Sequence, residues 1–268
     1  MARVPFARAA ARTAAVVLAA GVAAPASATW SIIIVDTRTG EVAAASATCL
    51  TNFDLRNGTP VLLPGVGAVT AQSFVDSSGQ NRSFVRDRLL DGTDPAAILA
   101  VLATFDSGHQ TRQYGIVDVQ GRAATFSGTG ASAWAGGRTG RVPGTTLVYA
   151  VQGNILTGAP VVDRAVDAII TTPGDIAAKV MAGMEAARAM GGDGRCSCPS
   201  GPTTCGSPPP TFNKSAHIAY MLIAREGDSD GANGIYRLGA GAAGLAVADV
   251  DLDNRLDVIT ADASVNAT

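Results

Sequence analysis

Hydrophobic positions along this chain follow two periods. Trp30 to Asp36 (WSIIIVD) is a run of mostly β-branched residues, Thr39-Gly40 marks a turn, and Glu41 to Thr48 returns as small residues, which predicts a hairpin beginning at Thr29. Strand patterns recur at Gly65 to Phe74, at Arg112 to Val119 and Arg122 to Phe126 around Gln120-Gly121, at Thr146 to Asn154 and at Ala216 to Arg225. Helical spacing appears at Ser83 to Leu90, Pro160 to Ile170 and Asp175 to Met190. A further helix opens with Asp94 as N-cap and Pro95 at N1, and its spacing predicts burial of Ile98, Leu99, Val101 and Leu102. Strands and helices come in antiparallel blocks, not in single β-α-β steps. That order favours an α+β architecture, two helical layers over a pair of antiparallel sheets, above a doubly wound parallel sheet.

Residues 1–28 carry a different pattern. Arg3, Arg8 and Arg12 come without acids, an apolar run extends from about Ala14 to Ala24, and small residues stand at Ala26 and Ala28, which predicts a signal peptide cut after Ala28. The apolar run falls well short of the roughly 20 residues of a spanning helix. The expected product is exported to the periplasm or the extracellular space, with no membrane span. The chain has 20 basic and 22 acidic residues, and losing three arginines moves its net charge from −2 to −5. That balance argues against nucleic acid as a partner.

Composition turns Gly-, Ala- and Asp-rich near Gly227, so residues 29–226 are expected to form the main domain and 227–268 a tail. Cys49, Cys196, Cys198 and Cys205 are an even number in a chain expected to be exported, which predicts disulfides. The last three lie in a Pro/Gly-rich insert, 191–210, and at least one should staple it to Cys49; all three pairings remain open. A zinc site competes, but His217 alone does not supply the second ligand pair that zinc prefers.

Cleavage after Ala28 would give Thr29 a free α-amine. That amine titrates near ~8 and can take the hydroxyl proton, as in threonine nucleophiles activated by their own N-terminus. An acyl transfer also needs donors at the developing oxyanion. Asn154, with the backbone of Gly153, is the candidate; the same pair also suits a turn. Asp193 either orients the amine or caps a loop. Ser46 and Gln72, polar within apolar strands, either line the pocket or bond a neighbouring strand. Trp134, close to Gly136 and Gly137, is either a substrate-stacking residue or a buried aromatic. The chain lacks G-x-S-x-G, H-E-x-x-H and a P-loop lysine, and catalysis calls for no cofactor. Its two lysines, Lys179 and Lys214, do not follow the first hairpin, where a lysine assists threonine in related chemistry. Gly239 to Gly244 matches G-x-G-x-x-G by chance, since it precedes the strand it should follow.

Several stretches together resemble one family, the bacterial domain-of-unknown-function family 1028, a group assigned to the N-terminal-nucleophile (Ntn) hydrolases. They are Thr29 to Ile32 with Asp36 and Thr39 to Glu41, Gly65 to Val69 with Ala71-Gln72, Tyr114 to Asp118 with Gly121-Arg122, Trp134 to Gly136, Tyr149 to Leu156, and Gly191 to Asp193. The resemblance implies a four-layer αββα sandwich whose first strand begins with the nucleophile, and it implies no substrate. The chain departs from the family where the Cys-rich insert separates Gly192-Asp193 from Lys214 to Ala216, and in the loop after Thr48.

In the tail, Asp249, Asp251, Asp253 and Asp257 stand at loop positions 1, 3, 5 and 9, with a backbone carbonyl at Arg255. Calcium takes such an oxygen cage. The stretch resembles the calcium loop of FG-GAP or VCBS repeats between strands Leu245 to Val250 and Leu256 to Ala261, a short C-terminal β repeat; the alternative is an acidic solvated turn. Two function classes follow: an exported amide hydrolase acting through Thr29 on an amide or peptide-like substrate, or a non-catalytic secreted binding protein attached through calcium. A homo-oligomer is compatible with either.

Overall fold

The computed structural model describes residues 29–51, 54–226 and 228, and the backbone of 244–248 and 257–261. β1 (Thr29–Asp36) and β2 (Val42–Thr48) form the first hairpin, followed by α1 (Leu55–Gly58), β3 (Pro60–Leu63) and β4 (Gly67–Ser73). Next come α2 (Gln80–Leu90), α3 (Pro95–Phe105), β5 (Arg112–Asp118), β6 (Ala123–Ser127), β7 (Gly136–Arg141) and β8 (Leu147–Asn154). The chain continues through α4 (Pro160–Thr171), α5 (Ile176–Ala189), α6 (Gly194–Ser197) and β9 (Ile218–Ala224) to β10 (Gly244–Ala248) and β11 (Asp257–Ala261).

The strands form two antiparallel sheets, one ordered β11-β10-β9-β2-β1-β8-β7 and the other β3-β4-β5-β6. β1 alternates strictly. Trp30, Ile32 and Ile34 pack with Val161, Ile169, Val180 and Met184 of α4 and α5, while Ile33 and Val35 pack toward Ala68 and Val117 of the second sheet. The far face of that second sheet buries Val69 and Ile116 against Val85, Leu89, Ile98 and Leu102 of α2 and α3. The layers therefore run helix, sheet, sheet, helix, the four-layer α+β sandwich expected. At one end of the sandwich the β1–β2 turn is pinned by the Asp36 carboxylate, which accepts from the Arg38 N–H and the Thr146 hydroxyl. Gly40 (φ +73°) touches Gly65 backbone to backbone, so that the Gly65 N–H reaches its carbonyl at 2.9 Å and ties the two sheets together.

Several elements differ from the sequence pattern. Val101 is 45% exposed, not buried. The buried face of α3 runs through Ile98, Leu102, Pro95 and Leu99, and Val101 lies roughly 110° around the helix from its centre. α2 starts at Gln80, not Ser83, because Asp76 accepts from the Asn81 N–H and Gly79 takes a left-handed turn at its start. β7 (GGRTGR) has no apolar alternation and is a strand because it pairs with β8. The strand expected from Gly65 begins at Gly67, since Gly65 is taken by the turn.

β10 pairs with β9 at Gly244↔Leu222 and Leu245↔Met221, and with β11 in an antiparallel hairpin. The leader, and Asp249, Asp251, Asp253 and Arg255 of the acidic loop, lie outside the described residues. Asp257 is described only as the first backbone position of β11. No helix among the described residues is long and apolar enough to cross a membrane.

Candidate functional site

The layer between the sheets is graded along the strands. Val35 faces Val42 and Val148, and Ile33 faces Ala44 and Ala150; two residues further on Ser31 faces Ser46 and Gln152, and Thr29 faces Asn154. Directly opposed residues of an antiparallel pair share a face. Two apolar rows thus give way to two polar ones, and the polar end is where β1 begins.

A buried hydrogen-bond chain fills this end. The Gln72 Nε2 donates to the Thr29 carbonyl and to Gln113 Oε1, both at 2.7 Å, while its Oε1 accepts from the Ser31 hydroxyl. Gln113 donates in turn to the Gly153 carbonyl at 2.7 Å and the Ser127 hydroxyl at 2.7 Å. Ser31 and Ser46 share a hydrogen bond of 2.6 Å, Ser46 donates to the Tyr220 hydroxyl at 3.0 Å, and that hydroxyl lies 2.8 Å from Thr59 Oγ1. Burial pushes the Tyr220 phenol well above its ordinary value despite these partners, so it stays protonated. Gln152 donates to Thr70 and lies against Gly115, where a side chain would collide with its carboxamide.

Four of the seven buried side-chain atoms without a hydrogen-bond partner among the described residues stand here, Thr29 Oγ1, Gln152 Oε1, Asn154 Oδ1 and Ser73 Oγ; the others are Trp30 Nε1, Arg82 Nε and His109 Nδ1. Buried polar groups are almost always paired, so unpaired ones at one end of a molecule mark a place prepared for something else. Backbone strain gathers there as well. Among the described residues, Ser73 (φ +71°), Ser132 (φ +64°) and Ile155 (φ +52°) are the non-glycine residues with left-handed backbone, and each directly follows a residue of this end: Gln72, Ala131, whose carbonyl accepts from Asn154, and Asn154 itself. Such conformations cost on the order of 1–3 kcal/mol and concentrate at functional sites.

The expected site residues are brought together in part. Thr29 and Asn154 are register partners at the head of the sheet, both buried. Gly153-Asn154 is not a turn; β8 runs through Asn154, and the turn residue is Ile155. Asn154 Nδ2 donates one of its two hydrogens to the Ala131 carbonyl at 3.0 Å, and its Oδ1 has no partner. Asp193 is fully buried and caps α6. Its carboxylate accepts from the Cys49 N–H at 2.6 Å and from Arg195, whose Nη2 lies 2.7 Å from Oδ2 and also bonds the Thr48 hydroxyl. It therefore braces the end of β2 beside Thr29. Ser46 and Gln72 bond across strands and sheets, as described. Trp134 is half-buried, packs against the α4–α5 side of the core and covers Gly136. Lys179 donates to the carbonyls of Ile169 and Thr172 and closes the end of α4.

The cysteines pair as Cys49–Cys196 and Cys198–Cys205. The first pair staples the insert to the end of β2, and the Asp193 N–H bonds the Ser215 carbonyl at 3.0 Å, so the two segments that the insert separates in sequence meet in space. The sequence pattern did not single out Ser31, Gln113, Gln152, Tyr220 or Arg195. Strand alternation alone would have placed Ser31 on the face of Thr29 and Gln152 on that of Asn154; the two faces coincide only through the β1–β8 register, and the roles of the others depend on how the strands and sheets come together.

The fold and this polar end define a four-layer antiparallel α+β sandwich with an unsatisfied buried threonine at the head of β1, an inner strand of the larger sheet. The family model described as "Family of unknown function (DUF1028)" matches residues 29–201, and the chain belongs to that family. The crystal structure of protein SPO2555 from Silicibacter pomeroyi, itself labelled DUF1028, is similar in fold, with a TM-score of 0.58 and 20% identity over 76% of this chain and 79% of that one. No curated protein matches the chain.

Proposed function

We propose that the protein is an exported amide hydrolase of the N-terminal-nucleophile type, with Thr29 as nucleophile after cleavage behind Ala28. The observation that carries this reading is the Thr29 hydroxyl: buried, without a partner, and held at the head of β1 by the Gln72 bond to its own carbonyl. In the reaction the α-amine of Thr29 takes the hydroxyl proton as Oγ1 attacks the carbonyl carbon and returns it to the leaving amine as the C–N bond breaks; water, deprotonated by the same amine, then attacks the Thr29 ester, releasing the acid and restoring the hydroxyl. Asn154 Oδ1 is an acceptor for that ammonium or for a substrate N–H, and the second hydrogen of Nδ2, the first being donated to the Ala131 carbonyl, is a donor for the oxyanion.

The test is the mass of the exported protein together with turnover of an amide library. A mature start at Thr29 is expected, with hydrolysis abolished in Thr29→Ala, partly kept in Thr29→Ser, and rising with pH through about 8 as the amine loses its proton. A mature chain starting elsewhere, or unchanged turnover in Thr29→Ala, defeats the reading.

For the tail we propose a calcium ion held by Asp249, Asp251, Asp253, Asp257 and the Arg255 carbonyl, supported by the antiparallel β10–β11 hairpin that flanks this acidic run. Calcium is expected to raise the thermal midpoint of the wild type and not of the Asp251→Asn/Asp253→Asn double variant.

A further inference from the structure

Beside the candidate site, and independent of Thr29 chemistry, lies a second cluster. The sulfurs of Cys49 and Cys196 and a ring nitrogen of His217 all lie within 4.8 Å of one another, the one group of three or more such ligand atoms among the described residues. Each comes from a different element: Cys49 follows β2, Cys196 sits in α6, and His217 precedes β9, its N–H donating to the Thr48 carbonyl at 2.8 Å. The cysteines are half-buried and His217 is exposed, so the cluster is open to solvent on one side.

Two thiolates and an imidazole are the ligand set of borderline-soft metals, zinc above all. Zinc–sulfur bonds of about 2.3 Å at a tetrahedral angle put two sulfurs roughly 3.8 Å apart. The Cα atoms of Cys49 and Cys196 are 5.6 Å apart, so side-chain rotation alone supplies that separation once the sulfurs are no longer bonded. The rest of the cluster is held from outside the disulfide. The Cys49 N–H is fixed by Asp193, Arg195 pairs with the same carboxylate, and His217 is fixed by the Thr48 carbonyl.

We propose that the Cys49–Cys196 disulfide and a zinc site made of Cys49, Cys196 and His217 are two alternative states of the same cluster. In the oxidised state the sulfurs are bonded to each other and cannot bind metal. A dithiol reductant converts this state: its two S–H groups close into its own disulfide, and the Cys49–Cys196 bond takes up the two electrons and two protons to become two thiols. Zinc then displaces both thiol protons to solvent and takes the His217 imidazole as third ligand, with the fourth position left to water. The zinc state belongs to reducing surroundings, the disulfide state to oxidising ones.

The test uses the full chain carrying Cys198→Ser/Cys205→Ser, which removes the other pair of sulfurs, with cobalt(II) as spectroscopic probe and zinc as competitor. The oxidised protein is expected to bind neither. After reduction one cobalt should bind with a thiolate-to-metal charge-transfer band, which one equivalent of zinc abolishes. Cys49→Ser or Cys196→Ser should remove that band. His217→Ala should weaken binding by at least the ~10-fold that losing even an outer-shell partner costs. Circular dichroism follows the fold throughout; should reduction loosen it, zinc is expected to restore it, because binding is linked to folding. Absence of a one-to-one cobalt complex in the reduced protein, folded or not, overturns the proposal. So does equal affinity in His217→Ala.

Discussion

Gln72 stands between β1 and β5 at the polar end, since its carboxamide links Ser31, Gln113 and the Thr29 carbonyl. Replacing it by leucine leaves those three buried groups short of a partner, and each unsatisfied group costs about 1–3 kcal/mol. Gln72→Leu is therefore expected to lower stability to urea by at least about 2 kcal/mol. Polar residues inside otherwise apolar strands made Ser46 and Gln72 recognisable in the sequence. What they bond was not, because Gln113 reaches Gln72 only through the β4–β5 register and Ser46 reaches Tyr220 only through the β2–β9 register. Asp193 shows the same limit. It caps the short helix α6, and its hold on Cys49, far off in the chain, depends on the folded insert.

Among the elements, the first hairpin and the capped helix at Asp94 follow from local chemistry and appear as expected, whereas β7 exists only because β8 offers it a partner. β5 lies against β8 so closely that Gly115 has room for no side chain beside Gln152. Gly115→Ala is expected to cost about 1–3 kcal/mol by overpacking and to push the Gln152 carboxamide from Thr70. The turn between α3 and β5 carries a pH dependence. His109 is buried there with its ring stacked 4.1 Å from Phe126. Burial lowers its pKa, partly offset by the Asp106 charge, so the fold holds it neutral. The unfolded chain takes up a proton below about 6.5, and this contribution to stability is complete above that pH and lost progressively below it. Stability measured by urea titration should fall less between about pH 6.5 and 5 in His109→Asn than in the wild type. Asp106 acts lower on the scale. Burial raises its carboxyl, but bonds from Arg112, Asn81 and the Gly108 N–H outweigh that and hold it below the usual range.

For the whole molecule, the Cys49–Cys196 bridge spans 147 positions and Cys198–Cys205 only 7. Loop-closure entropy grows with loop length, to somewhat under 5 kcal/mol for a loop of about 100 residues. Breaking the long bridge with Cys49→Ala/Cys196→Ala should thus lower oxidised-state stability more than Cys198→Ala/Cys205→Ala, by roughly 3 kcal/mol in urea unfolding. The layered architecture was legible in the alternation of strand and helix blocks, since each face must bury its own apolar stripe. The grading of the inter-sheet layer was not, because it emerges only when the rows of β2, β1 and β8 are aligned. That grading divides a single strand into two kinetic regimes. Amide protons at Ile33 to Val35, set among dry aliphatic rows, should exchange with deuterium only when the whole chain opens, whereas those at Trp30 and Ser31, over a hydrogen-bonded and partly unsatisfied end, should exchange by local openings of lower free energy. One continuous strand would then be rigid at one end and able to breathe at the other.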